Sequence, residues 1–207
     1  MERVGILRMP LGNLQSVWNA LHVSGFDPEY VDEQSDFDHL THLIIPGVGH
    51  FKAVMDHLVS KGLPDKITRF AQSGRPTLGI CVGMQLLGKS SNEGGVNSAG
   101  LGLVDAVVTR LPDDGQVLPH VGWSTVDLKR DHPVTQGLKQ GRDYYFVHSY
   151  GMKAGSEDIV IGTTTYGSDF VSIVGKGNVV GFQFHPEKSQ SNGLHLITNF
   201  ALWDGQC

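Results

Sequence analysis

The sequence predicts one α/β domain over residues 1–207, in which an open, mixed but mostly parallel sheet carries helices on both faces. Strand-like and helical segments alternate three times in the first ninety residues, a rhythm typical of a parallel, doubly wound sheet. After Gly102, strand-like segments follow one another with little helix between them. Since no linker separates the two halves, we expect a single three-layer domain.

The first half shows its elements by apolar spacing and by glycine and proline breaks. In order we predict a strand at Val4–Met9, a helix carrying Leu14, Val17, Trp18 and Leu21, a strand at His42–Gly47, a helix carrying Phe51, Val54, Met55 and Leu58, a helix from Pro64 to Ser73, and a strand at Pro76–Cys81. In open α/β sheets the chemistry lies at the carboxyl ends of strands, where Cys81 falls.

The second half alternates apolar and polar residues, which is the strand pattern. The predicted strands lie in LVDAVVTRL, WSTVDL, YYFVHSYGM, DIVIGTTTY and FVSIVGKGNVVGFQFH, with a hairpin turn at Gly175–Asn178. The last segment, GLHLITNFALW, returns to helical spacing.

Composition restricts the class of protein. Hydrophobic residues make up 40% of 207 residues, and the net charge is −5, which gives no general attraction to nucleic acid or an anionic membrane. No apolar stretch approaches the roughly 18 residues of a membrane span. Cys81 and Cys207 are the two cysteines, too few for a disulfide framework, so we expect a reducing cytoplasm.

The stretch GICVGMQLLGKS contains two overlapping motifs with different chemistry. From Gly83 it matches the letters of a phosphate-binding loop, but that loop needs a helix to open at Lys89-Ser90, and a Gly- and Ser-rich segment follows instead. From Gly79 it matches a nucleophile elbow, in which glycines permit a sharp turn from strand to helix. The elbow would expose Cys81 above the sheet at a helix N-terminus, which favours the thiolate. Taken alone, a buried structural cysteine explains the same letters.

A thiol nucleophile needs a histidine as acid and base, oriented by a third group. We interpret His22, His39, His42, His57 and His195 as residues of helices or ordinary surface. His185 instead directly follows an alternating strand, and Pro186 holds it in a set relation to Glu187. An extended i, i+2 pair projects to one side, so the carboxylate can approach the imidazole. A metal site is the weaker alternative, since there is no H-E-x-x-H motif and no cysteine cluster.

GICVGMQLL and the later HPEKS together resemble the class I, or triad, glutamine amidotransferases, which have a flavodoxin-like fold. More narrowly, the chain resembles the glutaminase subunits of imidazole glycerol phosphate synthase. The likeness covers almost the whole chain and is carried by the stretches GNLQSV, LIIPGVGHF, RPTLGICVGMQLL, GLGLV, PHVGW, YYFVHSY and GNVVGFQFHPEKSQSNGLHLITNF.

The resemblance implies a glutaminase with the triad Cys81, His185 and Glu187. Cys81 would attack the side-chain amide of glutamine, His185 would relay protons, and Glu187 would orient His185. The oxyanion hole would involve Gly47, Val48, Gly49 and Val82, and glutamine would be bound by Gln85, Glu93, Ser149 and Tyr150. The i+4 spacing independently puts Gln85 one helical turn from Cys81. We interpret His148 as a strand residue near the site that is not catalytic.

The resemblance also implies a partner. Ammonia would pass to a (β/α)8 cyclase in a 1:1 heterodimer that makes imidazole glycerol phosphate and an aminoimidazole carboxamide ribotide in histidine biosynthesis. Asn13, Pro119 and Trp123 would contact that partner, although Trp123 is equally explained as a core residue. No cofactor, metal, nucleic acid or membrane is expected.

The sequence departs from the family pattern where the family meets its synthase. The usual D-Y-G-x-G-N is here Arg8-Met9-Pro10-Leu11-Gly12-Asn13, and Ser124 stands for the usual Asn. These departures leave open a paralogous glutaminase that supplies ammonia for amidination of a bacterial surface sugar. Two alternatives of other classes are a catalytically silent docking subunit, against which the presence of Cys81, His185 and Glu187 speaks, and a cysteine peptidase on a related fold.

Overall fold

The computed structural model describes residues 2–9 and 12–207. Within these ranges it contains five α-helices and thirteen strands. The helices are α1 Leu14–Val23, α2 Phe51–Ser60, α3 Leu63–Gln72, α4 Val82–Leu86 and α5 Gln190–Leu202. The strands are β1 Val4–Leu7, β2 Glu29–Val31, β3 His42–Gly47, β4 Thr77–Cys81, β5 Ser90–Ser91, β6 Ser98–Ala99, β7 Ala106–Arg110, β8 His120–Leu128, β9 Arg142–His148, β10 Tyr150–Ala154, β11 Val160–Tyr166, β12 Ser168–Lys176 and β13 Val179–Phe182.

The predicted α/β class with a mixed sheet is confirmed. The first five strands in the order β2-β1-β3-β4-β13 are parallel, and the sheet continues antiparallel through β12, β10 and β7. From β1 the chain crosses to β2 on one side, and from β3 it crosses to β4 on the other. Because such crossovers are right-handed, α1 lies on one face of the sheet and the α2–α3 pair on the opposite face. The last helix, α5, packs against α1.

Strand register determines which residues meet at the carboxyl edge of the parallel core. Gly47, the last residue of β3, pairs with Cys81, the last residue of β4. Phe182, the last residue of β13, pairs with Ile80 on the other side of β4. The segments that leave β3, β4 and β13 are therefore neighbours, although they are far apart in sequence.

Three details differ from the sequence-based expectations. β2, β5 and β6 were not predicted, since strands of two or three residues with little apolar character carry no strand pattern. The segment expected as one strand in YYFVHSYGM is two strands, β9 and β10, that separate at Ser149. His42 is a buried residue of β3 whose Nε2 lies 2.9 Å from the Trp203 carbonyl, so its interpretation as an ordinary surface or helix residue was wrong.

Candidate active site

Cys81 occupies a strained turn between β4 and α4. Its φ of 55° and ψ of −113° lie in a region that residues with a side chain rarely adopt, and such strain concentrates at functional sites. The glycines on either side permit the turn. A Cβ on Gly79 would lie 2.5 Å from the Gly83 carbonyl oxygen, and a Cβ on Gly83 would collide with the Ile45 carbonyl. The glycines therefore let the strand, the turn and the helix pack without side chains between them.

The same stretch does not form a phosphate-binding loop. Residues from Gly83 to Leu86 belong to α4, and the chain leaves the helix before Lys89. The Lys89 ammonium lies 2.6 Å from the Asp105 carboxylate, and no helix begins there. Within residues 2–9 and 12–207 no group of three or more histidine, cysteine, aspartate or glutamate side chains is arranged to hold a metal ion.

The predicted oxyanion loop lies against the turn that carries Cys81. A Cβ on Gly47 would come 3.1 Å from the Gly83 nitrogen, so β3 ends in close contact with the start of α4. Among the described residues, the amides of Val48 and Gly49 donate no hydrogen bond. Gly49 has a φ of 107°, which only glycine adopts freely. The loop thus offers unused N–H donors close to the Val82 backbone.

His185 and Glu187 form a buried pair after the end of β13. Their side chains are 2% and 1% exposed, and His185 Nδ1 lies 2.8 Å from Glu187 Oε1. The contact is made within a 3₁₀ turn, Pro186–Lys188, and not by the extended i, i+2 geometry expected from the sequence. Proline at the first position of this turn holds it, since its φ is fixed. The carboxylate therefore fixes the Nδ1 side of the ring.

The electrostatics of His185 favour an imidazolium. Burial by itself lowers the pKa of His185, but interactions with Cys81 and then Glu187 outweigh burial and raise that pKa well above 6.5. Within the described chain, His185 Nε2 hydrogen-bonds to no other atom. The Cys81 sulfur instead contacts the Val147 carbonyl and Gln183 Nε2, each at 3.9 Å. The Nε2 atom of His185 is thus buried, and its hydrogen-bonding capacity is unused among the described residues.

A cavity of about 160 Å³ lies beside this turn. Loop, helix and strand ends all contribute to its lining, which comprises Val48, Gly49, Val82, Gln85, Glu93, Val147, His148, Ser149 and Tyr150. The four residues that the resemblance assigned to glutamine binding are among them. Cys81 is 3% exposed and is not among the lining residues, so the expectation that the turn exposes its thiol above the sheet was wrong.

Glu93 also has a structural contact that the sequence did not indicate. Its Oε2 accepts a hydrogen bond of 2.7 Å from the Phe51 amide, at the first residue of α2. The carboxylate therefore caps the helix that follows the oxyanion loop, where the helix dipole favours a negative charge. Its other oxygen remains for a ligand in the cavity.

Two further buried histidines, His120 and His148, contact each other next to the cavity, and the sequence analysis did not predict this contact. His120 Nδ1 is 3.2 Å from His148 Nε2, and His148 Nδ1 is 2.9 Å from the Tyr150 carbonyl. Burial lowers the pKa of His148 to about 3, so this ring is neutral and cannot act as a base at its protonated Nδ1. The contact depends on the β8–β9 pairing of His120 with His148, and sequence spacing alone gives no signal of it.

The residues predicted to meet a partner lie on or near the β8–β9 hairpin, except Asn13. Pro119 is exposed, and Trp123 is 47% exposed, so Trp123 is not a core residue. The hairpin also exposes Val121 and Val147. Asn13 precedes α1 and accepts a hydrogen bond from Ser16. Pro10 and Leu11, part of the departure from the family pattern, lie outside the described residues.

A groove of about 980 Å³ lies away from this site, and its lining includes Lys129, His132, Gln140 and Cys207. Among the described residues, no helix is long and apolar enough to cross a membrane.

Comparison with known proteins identifies related chains across almost the full length. Residues 12–203 match the family described as glutamine amidotransferase class-I. The imidazole glycerol phosphate synthase subunit HisH 2 of Nitrobacter winogradskyi is 39% identical, covering 99% of this chain and 100% of that protein. The subunit HisH of Wolinella succinogenes is 43% identical, covering 96% and 98% of the two chains.

Solved structures share the fold at lower identity. The structure of PurLQS from Thermotoga maritima aligns with a TM-score of 0.76 at 21% identity, covering 96% of this chain and 97% of that chain. A crystal structure of a glutamine amidotransferase gives a TM-score of 0.75 at 22% identity, covering 97% and 99%.

Proposed function

The chain belongs to the class-I glutamine amidotransferases, and within them to the HisH subunits of imidazole glycerol phosphate synthase; from this premise we propose that it hydrolyses glutamine to glutamate and ammonia for a synthase partner in histidine biosynthesis. The observation that carries the proposal is the arrangement at the carboxyl edge of the sheet. Cys81 lies in a strained turn beside His185, and Glu187 is bonded to the far side of the imidazole. A thiol, a histidine and a carboxylate that orients the histidine are the groups that thiol acyl transfer uses, and their presence at one sheet edge supports the proposal.

Each step follows from one group. The Cys81 thiolate attacks the amide carbon, and the negative oxygen that forms takes hydrogen bonds from the amides of the Gly47–Gly49 loop and Val82. His185 gives its proton to the departing nitrogen, so ammonia leaves and a glutamyl thioester remains. His185 then takes a proton from water, which attacks the thioester and releases glutamate. The Glu187 carboxylate stabilises the imidazolium while it holds the proton.

Substrate recognition is assigned to the cavity beside the turn. Gln85, Glu93, Ser149 and Tyr150 bring amide, carboxylate and backbone groups to a space of about 160 Å³, suited to a small polar molecule. A cysteine peptidase would need an extended groove for a peptide, and the small volume speaks against that alternative. No cofactor enters these steps.

A (β/α)8 cyclase that binds as a 1:1 heterodimer is the proposed recipient of ammonia. Exposed apolar side chains on β8 and β9, above all Trp123, support docking at this hairpin, because aromatic anchors contribute much of the binding energy of interfaces. The hairpin also reaches the cavity through His148. Two cysteines without a disulfide support a cytoplasmic location.

The test is glutamate release by the purified chain, alone and with its cognate barrel subunit and a ribotide ligand. We expect a low basal rate that rises strongly with the liganded partner. Cys81→Ala should abolish the release and leave complex formation intact, whereas the control Cys207→Ala should change neither. Complex formation without any glutaminase activity would indicate a docking subunit, and activity that ignores the ribotide would favour the surface-sugar pathway.

A further inference from the structure

Gln183 is a fully buried polar residue that none of the steps above uses. It follows the last residue of β13 and precedes His185 by two positions, and its side chain is 0% exposed. The amide Nε2 lies 3.9 Å from the Cys81 sulfur, and Oε1 lies 3.1 Å from Gln85 Nε2. One buried amide thus contacts both the proposed nucleophile and a residue of the substrate cavity. Burying an amide is unfavourable unless its hydrogen bonds are satisfied, so these contacts are its compensation.

Hydrogen-bond polarity fixes the orientation of both amides. The Tyr150 carbonyl can only accept, so the group of Gln85 that faces it at 2.9 Å must be the Nε2 donor. The second hydrogen of the same Nε2 goes to Gln183 Oε1. Gln183 must then direct its own Nε2 towards the sulfur, where a thiolate is an acceptor. If either amide were reversed, two acceptors or two donors would face each other.

These hydrogen bonds determine which polar group Gln85 can present to the cavity. Both donor hydrogens of Gln85 are engaged, so Oε1 is its remaining group, and within the described residues it makes no hydrogen bond. Gln85 lines the cavity. Its carbonyl oxygen therefore offers a hydrogen-bond acceptor there, suited to an N–H donor. In free glutamine the donors are the α-ammonium group and the side-chain amide.

We propose that Gln183 is a positioning residue that couples the nucleophile to substrate recognition. Its amide donates to the Cys81 thiolate and, with the other end, holds Gln85 with its carbonyl oxygen towards an N–H donor of glutamine. The role rests on the proposed function, because the ligand is the substrate of that reaction. Loss of Gln183 should therefore affect both the reactivity of the sulfur and the affinity for glutamine.

Two substitutions at Gln183 separate these effects. Gln183→Met keeps the approximate length and removes both polar groups. Gln183→Glu keeps the acceptor for Gln85 but replaces the donor near the sulfur with a carboxylate. Thr164→Val is the matched control, because Thr164 is buried in β11 and its hydroxyl has no partner among the described residues. All variants are made in a Cys207→Ala background, so that alkylation reports Cys81 alone.

Three measurements are made on each variant: the pH profile of Cys81 alkylation by iodoacetamide, kcat and KM for glutamine in the assembled complex, and the thermal unfolding midpoint. For Gln183→Met we expect alkylation at pH 7 to slow about tenfold and KM to rise about tenfold, as loss of hydrogen bonds to charged groups implies. For Gln183→Glu we expect KM to return towards the parental value while the alkylation profile moves to higher pH. Thr164→Val should change neither profile nor KM.

The proposal would be overturned if Gln183→Met kept the alkylation rate and the KM of the parent protein. It would also be overturned if the changes in alkylation and KM only paralleled a lower unfolding midpoint, or if Gln183→Glu and Gln183→Met gave the same alkylation profile and KM. Absence of glutaminase activity in the parental complex would instead refute the proposed function, and the alkylation profiles would still test the contact between Gln183 and the sulfur.

Discussion

Replacing Glu187 with Gln should lower kcat for glutamine about a thousandfold and leave the fold intact. The carboxylate and the imidazole of His185 are both almost fully buried, and their contact is 2.8 Å long. Glutamine keeps an oxygen that can accept from Nδ1, so the ring stays oriented. The substitution removes the negative charge, which stabilises the imidazolium whenever His185 carries a proton.

The magnitude follows from the distance and the burial. Two unit charges about 4 Å apart interact with about 4 kcal/mol at an effective dielectric constant of about 20. This stabilisation is needed when the imidazolium forms or persists during proton transfer. A barrier raised by about 4 kcal/mol slows the reaction about a thousandfold.

The chain offers a matched control for the same chemical change. His39 Nε2 and Glu29 Oε1 also lie 2.8 Å apart, but their side chains are 33% and 47% exposed. An exposed ion pair contributes about 0–1 kcal/mol, so Glu29→Gln should leave both stability and activity unchanged. The comparison isolates burial at the proposed site as the cause.

The assay is glutamate release by the assembled complex at saturating glutamine, with the unfolding midpoint measured in parallel. A Glu187→Gln enzyme that stays folded and keeps kcat within about tenfold of the parent would refute the electrostatic role of the carboxylate. A loss of the same size in Glu29→Gln would show that the change acts through the fold as a whole.

Two further predictions concern stability. Burial lowers the pKa of His148 to about 3 in the folded protein, whereas the same residue in the unfolded chain has a pKa near 6.5. As the pH falls below 6.5, only the unfolded chain binds a proton at this residue. The stability that this residue contributes above pH 6.5 is therefore lost on acidification. In denaturant unfolding, His148 should account for about 2 kcal/mol of the stability lost between pH 7 and pH 5, so His148→Gln should lose that part of the pH dependence, and an unchanged pH dependence in this variant would contradict the buried neutral ring. Gly79→Ala would place its Cβ 2.5 Å from the Gly83 carbonyl and should destabilise by more than about 2 kcal/mol, measured by the same method. In Gly12→Ala the new Cβ would lie 3.8 Å from Leu14, the nearest side chain among the described residues, so the change should stay within about 0.5 kcal/mol, and similar values for the two variants would refute the packing argument.

Local patterns were sufficient to predict β1, β3 and β4 of the parallel core, because each is a short apolar run close to a glycine or proline, whereas β2 was not predicted. The same holds for the turn at Cys81, whose glycines are adjacent in sequence. The roles of Cys81, His185 and Glu187 stay predictions until they are tested on the protein. Their convergence was expected only from the resemblance, and in the structure β13, which ends just before His185, lies parallel to β4.

The remaining contacts arise from tertiary structure and leave no periodic signal. The pairing of His120 with His148 requires the β8–β9 register, and the position of Gln183 beside Gln85 requires β13 to lie next to β4. A buried polar residue in an apolar strand is a weak cue, and Gln183 carries it within GFQFH. The helix-capping contact of Glu93 with Phe51 is another tertiary contact of this kind, since the two residues are 42 positions apart in the sequence.

The insertion of β13 between β4 and β12 has a consequence for synthesis on the ribosome. β4 emerges early with Cys81 at its end, but its second neighbour consists of residues 179–182 and arrives only after about a hundred more residues have been made. Until then the nascent chain contains Cys81 without His185, and the side of β4 that later pairs with β13 has no strand partner. Under the proposed mechanism, hydrolysis of glutamine begins only when nearly the entire polypeptide has been translated, and we expect a chain truncated before His185 to be inert. Such late closure also slows folding, because pairings distant in sequence must form before the core is complete.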